Sequence, residues 1–202
     1  MSQIALPLVT GTLGPARIVV GNANARVAEA LASPAVWPFL TAVLTGPPRS
    51  GKSLFARWFA DGGRGEAIDD ARLLDETALF HSWNRAQESG TPLLIVGGEP
   101  PWNISLPDLR SRLGAALQLE ISQPDDAMAA DLLRTLAEQR DLPLGPDAAG
   151  YLVPRAPRSF AGIERLVSEI DRLSLERMAP ATQSLLRAAL EAVLGPEEPR
   201  LL

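Results

Sequence analysis

The 202-residue sequence has no cysteine and one histidine, His81. The first absence excludes disulfides, thiolate nucleophiles and cysteine-based zinc sites. The second leaves His81 without a partner imidazole, so a structural role is expected for it rather than metal or acid–base work. Aromatic residues are sparse at 5%. Trp37, Trp58 and Trp83 read as core or rim packing, and Trp102, in "EPPWN", as exposed. No apolar run approaches the roughly 18 residues that would suggest a membrane span, and no basic segment leads into an apolar run at the start. Positive charge is in short supply, with 19 Lys and Arg against 24 Asp and Glu, a formal net charge of −5. That balance argues against a protein that grips phosphate backbones, which takes concentrated Lys and Arg. Apolar residues at 46% and charged residues at 21% suit a folded cytoplasmic protein, with a nucleotide or another protein as partner.

Residues 1–16 are turn-rich and read as an irregular, flexible arm. From residue 17 to 123 strands alternate with helices. "FLTAVLTG" (39–46) and "PLLIVGG" (92–98) are continuous apolar runs of the kind buried in parallel sheets, "EAIDDA" (66–71) is a short, weak strand, and "ALQLEIS" (116–122) alternates. The order implies an α/β domain on a small parallel sheet of four or five strands. From residue 124 to 202 the pattern is all helical and reads as a lid, with Ser159 and Thr182 as expected helix caps.

"GPPRSGKS" (46–53) matches the phosphate-loop pattern G-x-x-x-x-G-K-[ST] and lies between an apolar strand and a helix start, where the chemistry requires it. Gly46 and Gly51 allow the tight turns that aim successive N–H groups at phosphate oxygens, and the helix N-terminus adds partial positive charge. Pro47, Pro48, Arg49 and Ser50 complete the loop, with Leu54 just beyond it. Lys52 is placed to reach the terminal phosphates, and the Ser53 hydroxyl to ligate Mg2+. The ligand expected is ADP or ATP. Asp69 is expected to hold the Mg2+ through water, and Asp70 to polarise an attacking water; the competing reading is a solvated Asp pair at a turn. The 16 residues between Lys52 and Asp69 hold one helix and the turn "DGGRG", which places the Asp69 strand at a sheet edge.

The loop resembles that of AAA+ ATPases. "RIVVGNANARVAEAL", "LFHSWNRAQESGTPLLIVGGEPP" and "LPDLRSRLG" together resemble the AAA+ domain of the DnaA family and its shorter Hda-type regulatory branch, over residues 17–195. The resemblance implies an adenine pocket lined by Val19, Val20 and Gly21. It also implies that Arg112 is an arginine finger directed at a neighbouring subunit's nucleotide, with Arg110 beside it; a surface Arg paired with Asp108 or with a helix end is the competing reading. Two positions depart from the family pattern. Gly98 stands where a polar residue senses the terminal phosphate, and Ala161 where the lid carries an arginine, with Arg158 and Arg165 nearby. Firm nucleotide binding with little ATPase activity is therefore expected. No DNA-binding domain follows the lid, so sequence-specific DNA binding is not expected.

"QIALPL" is similar to the peptides by which replication proteins bind the β sliding clamp, with Gln3, Leu6, Pro7 and Leu8 in the matching places. What the resemblance implies is a negative regulator of replication initiation that binds the clamp and stimulates ATP hydrolysis by the initiator DnaA in trans. Two alternatives stay open, a small P-loop phosphotransferase using Arg155, Arg158 and Arg165, and a degenerate AAA+ scaffold. A homodimer is also open.

Overall fold

The computed structural model describes residues 6–8 and 16–195. The chain divides into two compact units, one from Ala23 to Ser122, the other joining the residues up to Asn22 with those from Gln123 onward.

In the first unit, among the described residues, β3 (Thr41–Thr45), β4 (Glu66–Ile68), β5 (Leu93–Val96) and β6 (Leu117–Glu120) form a four-stranded sheet in the order β4-β5-β3-β6. Every pairing is parallel, with Val43 opposite Ile95 and Leu44 opposite Leu119. The two central strands are the apolar runs of the sequence. Leu93, Leu94 and Ile95 are fully buried, as are Ala42 and Leu44, as strands covered on both faces must be. β4 is short and carries the exposed Glu66, and it lies at the edge, as the residue count between Lys52 and Asp69 requires.

The strands are joined by α2 (Lys52–Asp61), α3 (Glu76–Ser89) and α4 (Pro107–Ala115), while α1 (Ala25–Ala32) precedes the sheet. α2 buries Phe55 and Phe59, and Phe59 stacks on Trp37 with ring centroids 5.3 Å apart. α3 starts on an Asp75 cap whose carboxylate accepts from the Ala78 N–H at 3.0 Å, and it stops at Gly90 in the left-handed conformation, φ 65°. Glu76 accepts from the Ser105 and Leu106 N–H groups at 2.8 and 2.6 Å, tying the approach of α4 to α3. Trp102 is half-buried rather than exposed. Gly97 has no side chain, so the indole packs so closely that a Cβ there would lie 2.9 Å from it.

In the second unit α5 (Asp126–Glu138), α6 (Ala148–Leu152), α7 (Phe160–Arg177) and α8 (Gln183–Leu194) enclose a core of Leu133, Leu152, Ile163, Leu166, Val167, Ile170, Leu185 and Ala189. Asp125 caps α5 and Ser159 caps α7. Thr182 occupies the cap position of α8, but its hydroxyl lies 3.0 Å from Ser184 Oγ and makes no capping bond. Asn22 is tied to this unit by long-range side-chain hydrogen bonds. The Asn22 side chain donates to the Gln123 carbonyl (3.3 Å) and accepts from the Asp125 N–H (3.0 Å), and Gly21 lies against Met128. In the same unit β1 (Leu6–Leu8) pairs antiparallel with β2 (Ala16–Ile18), Leu6 opposite Ile18.

Candidate nucleotide site

The sheet delivers the loop at the end of its central strand. β3 ends at Thr45, whose carbonyl accepts from the Ile121 N–H at 2.9 Å, while the Leu44 carbonyl accepts from Gly97 at 2.9 Å. Gly46 follows with φ 151°, its N–H donating to the Gly98 carbonyl at 3.3 Å. A Cβ on Gly46 would stand 2.9 Å from the Ile121 carbonyl oxygen, so both the backbone angle and the space require glycine. The turn closes through Ser50 N–H to the Pro47 carbonyl, with Arg49 at φ 64° and Gly51 at φ 89° as the N-cap of α2. At Gly51 space is ample, and the left-handed angle alone calls for glycine.

α2 thus begins at Lys52, with Ser53 and Leu54 in its first turn, and its unbonded N–H groups open onto the loop. The Lys52 ammonium donates to the carbonyls of Gly46 (2.9 Å) and Pro47 (2.8 Å). Burial holds its pKa below the usual 10.5, opposed by the negative charges of Asp69, Asp70 and Glu99. Ser50 is 5% exposed, and its Oγ has no hydrogen-bond partner among the described residues. A cradle too tight for a Cβ, a helix N-terminus, an ammonium and a buried unsatisfied hydroxyl on one loop are what a nucleotide's phosphates require.

Asp69 and Asp70 follow β4 and are exposed. Asp69 Oδ1 accepts from the Asp70 N–H at 3.0 Å, and Asp70 has φ 48°, a left-handed turn into a short 3-10 segment at Ala71–Leu73. With Lys52 and Ser53 they belong to the sheet unit, whereas Val19, Val20 and Gly21 belong to the helical one. Of the clamp-peptide residues, Leu6, Pro7 and Leu8 form β1, and Gln3 lies outside the described residues.

The arginines hold the features that sequence reasoning did not reach. Arg112 is half-buried: its Nη1 donates to Asn84 Oδ1 at 2.9 Å, and its guanidinium lies 4.3 Å from the Trp83 ring centroid and 4.7 Å from that of Phe80. Phe80, Trp83 and Asn84 are three and four residues apart on α3, a spacing that could have revealed the shelf. Arg110 is exposed. Arg72, which carried no expectation, donates to the Glu99 carbonyl at 2.9 Å. In the helical unit Arg155 donates to the Tyr151 carbonyl, Arg158 pairs with Asp126 at 3.2 Å, and Ala161 lies in the first turn of α7.

Two outcomes follow. Gly46→Ala should destabilise the chain by about 1–3 kcal/mol in urea unfolding, from the unfavourable angle and the Ile121 contact. Unfolding at the wild-type midpoint would contradict that fit. Because the folded-state pKa of Lys52 is lowered, its ionisation opposes folding below that pKa and ceases to do so above the unfolded value of 10.5. Wild type should therefore gain stability relative to Lys52→Met as pH rises from neutrality toward 10.5, measured by melting temperature against pH; a flat or falling difference would contradict it.

No family model matches the sequence. Among solved structures, domain III of the replication initiation protein DnaA from Thermotoga maritima superposes with a TM-score of 0.72 at 13% identity, covering 88% of this chain and 95% of that one. The FIGL-1 AAA domain in complex with ADP gives 0.62 at 15% identity over 99% and 88% of the two chains. The initiator DnaA bound to AMPPCP and single-stranded DNA gives 0.60 at 16% identity over 79% and 65%. Identities this low establish fold alone: a four-stranded parallel α/β sheet followed by helices, the architecture shared with DnaA domain III and the FIGL-1 AAA domain.

Proposed function

We propose that this chain binds ADP or ATP in the Gly46–Ser53 loop and acts as a negative regulator of replication initiation. The observation that carries the nucleotide reading is the loop itself, whose Gly46, Ser50, Gly51 and Lys52 offer phosphate-binding groups at the end of a central strand. In this reading Ser53 and Asp69 would hold Mg2+, while Asp70 stands by as the group that would polarise a water. Bound Mg2+ supplies charge neutralisation at the phosphates. The family resemblance assigns Val19, Val20 and Gly21 to the base. The solved AAA domains of FIGL-1 and DnaA, which hold ADP and AMPPCP, support the ligand class.

The regulatory part rests on the family resemblance. Gln3, Leu6, Pro7 and Leu8 bind the β sliding clamp as an extended segment, bringing the chain to DnaA, and Arg112 is presented to the ATP of that partner. A guanidinium suits this because it is planar, permanently charged and can offset charge developing on the transferred phosphoryl. To act in trans Arg112 exchanges Asn84 for phosphate oxygens, while the rings of Phe80 and Trp83 keep its stem oriented. With Gly98 and Ala161 in place of two nucleotide-sensing side chains, the chain alone hydrolyses ATP poorly.

The internal partners of Arg112 specifically favour a second reading, in which it clamps α4 to α3 and the protein is a scaffold whose shape nucleotide sets. A single experiment separates the two. On DNA-loaded clamp, the wild type should raise the ATPase rate of DnaA, and Arg112→Ala should lose at least about tenfold of that stimulation, since such an arginine can be worth about 10³–10⁵ in rate. Gln3→Ala with Leu6→Ala should lose the clamp while keeping nucleotide. Full stimulation by Arg112→Ala would refute the trans role, and no stimulation by wild type would leave the scaffold.

A further inference from the structure

Gly98 lacks a side chain at the strand end beside the loop, and a residue from a different element lies across it. Arg72, in the turn after Asp69 and Asp70, reaches the segment that follows β5 and donates from Nη1 to the Glu99 carbonyl at 2.9 Å. On the way it passes so close to Gly98 that a Cβ there would stand 2.6 Å from Nη1 and 2.7 Å from Cδ. The small residue and the long one are complementary: any other residue at 98 would displace the arginine.

Two contacts connect this pair to the loop. The Gly98 carbonyl accepts from the Gly46 N–H at 3.3 Å, and the Gly46 carbonyl accepts from Lys52 at 2.9 Å. Lys52 and Arg72 therefore flank the Gly46–Gly98 hydrogen bond that joins the phosphate loop to the segment after β5. The carboxylates of Asp69, Asp70 and Glu99 act on Lys52 at the same end of the sheet. A polyphosphate there needs cations to offset them. A guanidinium has five N–H donors in a plane, and the Glu99 carbonyl engages one nitrogen. Arg72 is an exposed residue.

We propose that Arg72, placed over Gly98 and anchored by Glu99, supplies the contact to the terminal phosphate that the glycine cannot, and so sets the preference for ATP over ADP. The assignment rests on the nucleotide reading of the Gly46–Ser53 loop. It makes Gly98 a site of substitution rather than of loss, with the sensing group moved from the end of β5 to the turn after β4.

The test is a binding titration of the full chain with Mg-ADP and with Mg-AMPPCP, for wild type, Arg72→Ala, Arg72→Lys, Gly98→Ala and Lys52→Ala. Arg72→Ala and Gly98→Ala should each weaken AMPPCP by about tenfold or more, the scale of one hydrogen bond to a charged group, and leave ADP unchanged. Arg72→Lys should recover part of the loss by restoring charge without the fork. Melting temperatures identify any variant that fails to fold, and the exposed position of Arg72 makes its variants the safe ones. If Arg72→Ala left both affinities as in wild type, or weakened both equally, Arg72 would be only a tie between two loops and the proposal would fall. Lys52→Ala tests the underlying reading separately, since it should lose both ligands; a wild type that bound neither would overturn both readings.

Discussion

Gly46 is held between two neighbours, and the candidate site depends on that confinement. Its N–H is bonded to the Gly98 carbonyl on one side, and its α-carbon faces the Ile121 backbone on the other at a separation that admits no Cβ. β3 is thereby fixed laterally to the chain leaving β5 and the chain leaving β6, and the loop that follows inherits a position set by the sheet rather than by its own residues. The second glycine acts on angle alone: at φ 89° Gly51 turns the chain so that α2 starts with its free N–H groups at the loop. Arg49, a side-chain-bearing residue at φ 64°, costs something of order 1 kcal/mol. Its persistence means that the surrounding bonds over-determine the turn.

Charge is arranged around this frame in two ways. Lys52 is partly desolvated, which lowers its pKa, and rests on two carbonyls of its own loop, with the charges of Asp69, Asp70 and Glu99 opposing that shift. Arg112 illustrates the other way, with two aromatic faces and an amide oxygen holding a half-buried guanidinium that has no carboxylate partner among the described residues. An arginine so held is oriented by neutral groups. That state is compatible with a structural clamp and equally with a group that can exchange its amide partner for phosphate.

Much of the fold was legible because local and global signals agree. β5 announced itself as an unbroken apolar run, and the edge position of β4 followed from counting residues after Lys52. The phosphate loop was legible because its glycines answer a steric requirement that few other residues can meet. What escaped the sequence was pairwise and long-range. Nothing local says that Asn22 will bond backbone groups about a hundred residues away, which assigns residues up to Asn22 to the helical unit. Trp102 looked exposed because its loop is polar and proline-rich, and only the bare Gly97 beneath it makes room for the indole. Arg72 and Gly98 are 26 positions apart and meaningless separately, so their fit appears only once β4 and β5 lie side by side.

In the proposed reading the Gly46–Ser53 loop holds the phosphates of an adenine nucleotide on its backbone N–H groups. Amide hydrogen exchange of the full chain, followed through residues 46–54 with and without saturating Mg-ADP, addresses it at the atoms concerned. Bound phosphate should slow exchange across the loop and the first turn of α2, while the buried amides of β5, already protected, stay as they are. Unchanged exchange throughout 46–54 at saturating nucleotide would contradict the account.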